Sequence, residues 1–219
     1  MDTEFMVKFL PMYGEAAVLT LRLGGLGILL ALLTGLVCSL IRLEKVPVLS
    51  QLVRVYTELS RNTPLLVQLF FLYFGLPKLG LHVSSETCAV LGLTFLGGSY
   101  MAEAFRAGLE GVAFSQQEAA AALGFTRWQS LRLIIIPQAL ATSIPALGAN
   151  VIFLLKETSV FSVVALADLV YVAKDIIGLY YKTDEALLLL VVAYLLILLP
   201  ISLGAAWLER RLRYGEFGA

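Results

Sequence analysis

One histidine, two cysteines and no surplus of charge of either sign leave this 219-residue chain without the usual equipment of a soluble enzyme or a nucleic-acid binder. His82 lies alone in a polar loop, with no second histidine at metal-ligand spacing and no serine partner. Cys38 and Cys88 fall in or beside apolar runs, and two such residues build neither a disulfide framework nor a metal cluster. Sixteen basic residues offset sixteen acidic ones, so the basic footprint that attracts nucleic acid is missing. There is no Gly-rich loop ending in Gly-Lys-Ser/Thr, so any nucleotide that drives this chain is bound by another. Charge is itself scarce, at 15% of residues, against about 25% in an ordinary soluble domain.

Apolar runs take its place. Hydrophobic residues make up 59% of the chain, and 18 glycines accompany them, a pairing that transmembrane helices tolerate and soluble helices avoid. The runs predict five spans in a single all-α membrane domain covering residues 1–219: about 16–41, 62–77, 88–106, 138–156 and 186–208. The first run is too long for a cleaved leader and lacks its basic flank, so it is expected to remain as an anchor. Ahead of it, residues 1–14 carry Phe5, Met6, Phe9 and Leu10 among charges, the pattern of a short helix at the lipid headgroups. Gly24, Gly25, Gly27 and Gly35 suggest a face packed closely on another helix. Residues 42–63 read as an amphipathic helix lying at the interface, with Arg54, Glu58 and Arg61 on one face. Glu103 and Arg106, three apart near the end of the third run, read as an interfacial ion pair ahead of a substrate contact. Residues 160–181 read as short surface helices.

The chain is organised around 118–141, EAAAALGFTRWQSLRLIIIPQALA, a charged and Ala-rich stretch between two apolar runs. Glu118 and the alanines after it favour helix, Gly124 stops it, and Pro137 marks where a new helix begins or kinks. The result is a water-facing elbow within a loop of about 107–137. Five spans put the termini on opposite sides. With the elbow in the cytoplasm, ten of the sixteen cations fall inside, including the Arg210, Arg211 and Arg213 cluster. That places the N-terminus outside and the C-terminus in the cytoplasm.

The elbow resembles the cytoplasmic loop of permease subunits of binding-protein-dependent ABC importers, in which EAA is followed at a fixed interval by Gly and then by an apolar stretch ending in Ile-Pro. The likeness extends further. Residues 56–69, YTELSRNTPLLVQL, resemble the YxExxRxTPLLVQL block of the polar-amino-acid branch. Residues 100–109, YMAEAFRAGL, are similar to its YxAExxRxGL block, and Leu155-Lys156-Glu157-Thr158-Ser159 to its LK(D/E)TS block. Four blocks in order cover most of residues 50–170. The resemblance implies the type I ABC importer permease fold, five transmembrane helices with a cytoplasmic EAA coupling loop, in the bacterial cytoplasmic membrane. It implies a second permease copy or paralogue, two ATP-binding cassette subunits below and an extracytoplasmic amino-acid-binding protein above. ATP and Mg would be held by the partner ATPase and no cofactor or metal by this chain, which is then a transport subunit and not an enzyme.

For the coupling loop the resemblance implies contacts with the ATPase through Glu118, Ala119, Ala120, Gly124, Phe125 and Pro137. For the substrate pathway, polar groups at membrane depth point to Asn150, with Lys156, Glu157, Thr158 and Ser159 as an outer gate. An internal Lys–Glu pair plus a helix cap is the alternative for those four. Many members of the branch carry Asn where this chain has Ala149, and members handling basic amino acids can carry an acid at the position of Asn150. A neutral amide there favours a neutral or acidic polar amino acid. Two rival classes remain: a membrane-embedded enzyme, which would need clustered Asp, His or metal-ligand motifs, and a channel or secondary transporter without an ATPase, which would have no use for the elbow.

Overall fold

A computed structural model describes the backbone of residues 1–216 and the side chains of residues 1–211; the Arg213 side chain of the C-terminal basic cluster lies outside the described residues. The described chain is all-helical, its helices joined by short turns. Helix α1, Thr3–Leu43, opens on Asp2, whose carboxylate accepts the Phe5 N–H at 3.1 Å. The separate headgroup helix expected over 1–14 is not formed, because its apolar face has a protein partner. Phe9, Tyr13 and Ala16 pack on Leu169, Val172, Ile176 and Ala186, and the Tyr13 hydroxyl donates to the Ala186 carbonyl at 2.7 Å. The turns therefore stay in register with the span that follows.

Helix α2, Leu49–Arg61, departs from the interfacial position expected of it. Its buried residues Val53, Thr57 and Ser60 face α1 and α4 (Ser85–Gly111). The Tyr56 and Ser60 hydroxyls both donate to the Phe95 carbonyl at 2.8 Å, near the middle of α4. After a break at 62–64, helix α3 (Leu65–Phe70) continues through a π-turn, Phe71–Gly75, and a 3₁₀ turn, Leu76–Leu79. Gln68 holds the break, its amide donating to the Ser60 and Thr63 carbonyls at 3.2 and 3.0 Å. Helices α2 and α3 thus run in tandem along α4 as one broken crossing. The hydrophobic run over 65–79 is too short alone, and the amphipathic helix before it supplies the missing length.

Helix α4 starts at the Ser84 cap, and its end leads to α5 (Phe114–Ala122) and the single turn α6 (Arg127–Ser130). A π-turn over Leu131–Ile135 joins α6 to α7 (Ile136–Glu157), and a 3₁₀ stretch, Thr158–Val164, carries it on. Helix α8 (Leu169–Tyr180), capped by Asp168, packs its buried face on α1 and α9 (Thr183–Glu216) and leaves Tyr171, Lys174 and Leu179 exposed on the other. Helices α1, α4, α9 and the run from Arg127 to Val164 are long and apolar enough to cross a membrane.

Both π-turns end just before a proline. Leu76 donates to the Phe71 carbonyl ahead of Pro77, and Ile136 donates to the Leu131 carbonyl ahead of Pro137. Proline brings no N–H to the ladder and crowds the preceding turn; widening that turn to an i→i+5 bond accommodates it without breaking the helix.

Helices α1 and α4 run parallel at the centre, Leu23, Ile28 and Ala31 meeting Leu93, Leu96 and Met101, with Leu154, Leu155 and Phe161 closing the cluster. In lipid such packing draws on van der Waals contact between closely approaching backbones. Gly27 and Gly35 supply that approach to α4 and Gly24 to Leu155 and Thr158, while Gly25 faces open space.

Candidate functional site

Two regions carry the polar chemistry. The first is the elbow. Helix α5 ends in a pair of backbone bonds, Gly124 N–H to the Ala121 carbonyl and Phe125 N–H to the Ala120 carbonyl, both 3.0 Å. This is the Schellman arrangement, with Gly124 in the left-handed region at φ +80. Thr126 then caps α6: its hydroxyl accepts the Gln129 N–H at 3.3 Å while the Gln129 side chain accepts the Thr126 N–H at 2.9 Å. The turn is thus fixed by the chain itself. Its outer surface is apolar and unpartnered: Leu123 is 77% exposed, Phe114 69% and Trp128 67%, with Glu118 and Ala119 exposed on the same helix.

Ala120 departs from the role expected of it. It is 1% exposed, so it packs inward and its neighbour Ala119 alone of the pair faces out. Phe125 turns toward a cavity of about 490 Å³ that it shares with Leu43, Lys45, Gln117 and Leu131. Pro137 is exposed on the helix leading away and acts on the elbow through the π-turn before it. An exposed ion pair, Arg127 to Glu44 at 3.2 Å, ties α6 to the end of α1.

At the root of the elbow, Glu103 bridges two helices. Its carboxylate takes Arg42 of α1 at 2.6 Å and Arg106 at 2.6 Å, and Arg106 also reaches Glu110 at 2.5 Å. The ion pair expected of Glu103 and Arg106 forms, and Arg42 completes it. A cavity of about 650 Å³ opens beside it toward Phe114 and Gln117.

The second region lies deeper. Asn150, half-buried on α7, donates its amide to the Tyr100 carbonyl of α4 at 3.1 Å. On the same Tyr100 ring rests the Arg61 guanidinium, 5.3 Å from the centroid. Arg61 gives no hint of this in sequence, since its helix reads as interfacial. The four residues spanning the end of α7 divide. Lys156 is exposed, with no ion pair among the described residues, and Glu157 and Ser159 are half-buried. Thr158 is fully buried, its hydroxyl on the Leu155 carbonyl and its methyl against Gly24, so it is a packing residue facing α1. A cap is present, but it comes from Asp168, whose carboxylate accepts the Tyr171 and Ser162 N–H groups at 2.7 and 3.2 Å. Burial pushes the Asp168 carboxyl up to about 6, against the pull of those N–H groups. Among the described residues no cluster of His, Cys, Asp or Glu could hold a metal ion.

Residues 27–214 match the family described as "Binding-protein-dependent transport system inner membrane component". The probable amino-acid permease protein YxeN of Bacillus subtilis is 42% identical over 72% of each chain. The glutamine transport system permease protein GlnP of Escherichia coli is 33% identical over 93% of this chain and 94% of its own. Among solved structures, a chain of an amino acid ABC transporter with histidines superposes with a TM-score of 0.91 at 34% identity, over 96% of this chain and 99% of that one. A chain of the inward-facing MetNI methionine ABC transporter shares the fold, with a TM-score of 0.73 at 19% identity over 97% and 99%.

Proposed function

The chain belongs to the family of binding-protein-dependent transport system inner membrane components, and from that premise we propose that it is the permease subunit of an ATP-driven importer carrying a polar amino acid across the cytoplasmic membrane. The cargo arrives from an extracytoplasmic binding protein. ATP and Mg are held by two ATPase subunits that dock under α5 and α6, and a second permease copy or paralogue completes the passage. The elbow faces the cytoplasm, the N-terminus lies outside and the C-terminus inside. The amino-acid cargo rests on the relatives, whose names assign them amino acids and glutamine.

One observation carries the reading. The elbow presents Leu123, Phe114 and Trp128 to water on a turn held rigid by its own backbone bonds and capping box. Apolar side chains so exposed outside the lipid mark a docking surface, and a rigid turn transmits a push that a loose loop would absorb. Glu118 supplies a charge for a cationic partner. Deeper in, Asn150, Lys156, Glu157 and Ser159 contribute to the pathway, and Thr158 holds the wall behind them.

The test is reconstitution. The chain, co-expressed with an ATP-binding cassette subunit and an amino-acid-binding protein from the same organism, is purified and placed in liposomes. ATP-dependent accumulation of an amino acid and a crosslink from Leu123→Cys to the ATPase are expected. A stable complex that moves amino acids without ATP, or a Leu123→Cys that never captures an ATP-hydrolysing subunit, overturns the proposal.

A further inference from the structure

Helix α2 exposes two stripes of opposite character at one depth. Leu52, Val55 and Leu59, spaced three and four apart, are 59%, 51% and 60% exposed. Arg54, Glu58 and Arg61 form a second exposed stripe around the helix from them. The depth is fixed by α4. Ser60 is hydrogen-bonded to Ser99 at 3.0 Å, and Ser99 lies roughly 20 Å along the helix from either end of α4. At the middle of a hydrocarbon layer about 30 Å thick, the leucine stripe suits an apolar neighbour. The charged stripe needs water or a counter-charge, since an ionised side chain facing lipid there is too costly.

Arg61 finds no counter-charge among the described residues. Among the described residues no carboxylate comes within 4.0 Å of it. Glu58, one turn away, is held instead by the Asn62 amide at 3.4 Å. The guanidinium lies over the Tyr100 ring, a cation–π contact that uses its charge and leaves its N–H fork open to a planar anion. Asn150 anchors the other side of Tyr100 through its carbonyl. An exposed charge-bearing fork, held over an aromatic ring at that depth, has the chemistry of a carboxylate receptor.

We propose that the charged stripe of α2 lines the water-filled passage and that Arg61 binds the α-carboxylate of the amino acid as it crosses. This rests on the transport reading and adds to it the group on the cargo that the membrane subunit recognises. A cargo recognised through its α-carboxylate must present that group free, whatever its side chain.

Cysteine accessibility in the reconstituted complex tests it. Cys38 and Cys88 are buried and are replaced by alanine, and Glu58→Cys is added as a reporter beside Arg61. Anionic sulfonatoethyl methanethiosulfonate is expected to label the reporter about tenfold faster, relative to small-thiol controls, than the cationic trimethylammonioethyl reagent. Arg61→Gln abolishes the preference and Arg61→Lys retains it. A mixture of the nineteen standard L-amino acids other than cysteine, whose thiol would itself consume the reagents, slows labelling, and the same mixture with α-carboxyls amidated does not. A reporter that neither reagent reaches, a preference indifferent to Arg61→Gln, or equal behaviour of the two mixtures overturns the assignment. The labelling requires no ATP, so its failure is separate from a failure to find an ATPase partner.

Discussion

Gly35 of α1 lies directly against Met101 of α4: a Cβ at position 35 would come 2.5 Å from the Met101 Cβ and 2.7 Å from the Ala102 backbone nitrogen. Neither is the end of a flexible side chain, so the two helices must separate to admit a methyl group. Gly35→Ala is therefore expected to destabilise the protein by about 1–3 kcal/mol. Gly25→Ala, where nothing lies within 4 Å, is expected to be neutral or to gain up to about 1 kcal/mol from helix propensity. Thermal unfolding of both variants in detergent, followed by Trp fluorescence, checks the contrast.

Asp168 gives the stability a pH dependence of definite sign. Its carboxyl is raised from an ordinary 3.8 to about 6 by burial, so the folded protein holds its proton more tightly than the unfolded chain. The stabilisation is complete below about 3.8 and is lost as pH rises through about 6. Its full extent is about 3 kcal/mol, two pKa units at roughly 1.4 kcal/mol each. Asp168→Asn keeps an oxygen to cap α8 and removes the titration. Unfolding temperatures between pH 4.5 and 7.5 are expected to fall with pH more steeply for the parent than for the variant. Parallel curves would place the proton elsewhere.

The long elements were legible in sequence because each is an unbroken apolar run, and the elbow because Gly124 and the alanines before it announce a stop. What the sequence hid are the places where tertiary partners override local character. Residues 1–14 look like a headgroup helix until Ala186 and Ile176 appear beside Tyr13 and Phe9. The charges of α2 place it at the interface until Ser60 finds Ser99. Only then do Arg61 and Tyr100 meet. Nor does spacing tell Ala119 from Ala120, since neighbouring residues on a helix face different ways and only packing shows which is outside. Thr158 was likewise legible as polar and not as buried.

The elbow yields a third prediction. Gly124 holds φ +80, a conformation costly for a β-branched residue, so Gly124→Val forces the Schellman turn to open. Glu118→Lys leaves the backbone alone and reverses an exposed charge. Both variants are expected to reach the membrane in normal amounts, to lose uptake by at least about tenfold, and to part ATP hydrolysis from transport. The magnitude follows from misplacing a contact that must act through a rigid geometry. Uptake and substrate-stimulated hydrolysis, both normal in reconstituted variants, would remove these residues from the coupling surface.

Pro137 sets the rotational register between the elbow and the core, and its removal makes the sharpest prediction. The Leu131–Ile135 π-turn exists because residue 137 has no N–H and crowds the turn before it. With Pro137→Ala that N–H returns, and the i→i+4 ladder can close through the turn. One residue fewer in the widened turn rotates everything N-terminal to it by about 100° about the helix axis. Trp128 and Leu123 would then face a new direction, and the Arg127–Glu44 ion pair would part. Its loss alone is worth little, because both side chains are exposed; the change is one of aim. The variant should therefore unfold at the same or a higher temperature than the parent while losing ATP-driven uptake. A short bifunctional thiol reagent joining Glu44→Cys to Arg127→Cys, in a background lacking Cys38 and Cys88, should crosslink with Pro137 in place and fail without it. Crosslinking that survives the substitution would mean the π-turn is held by its surroundings and not by the proline.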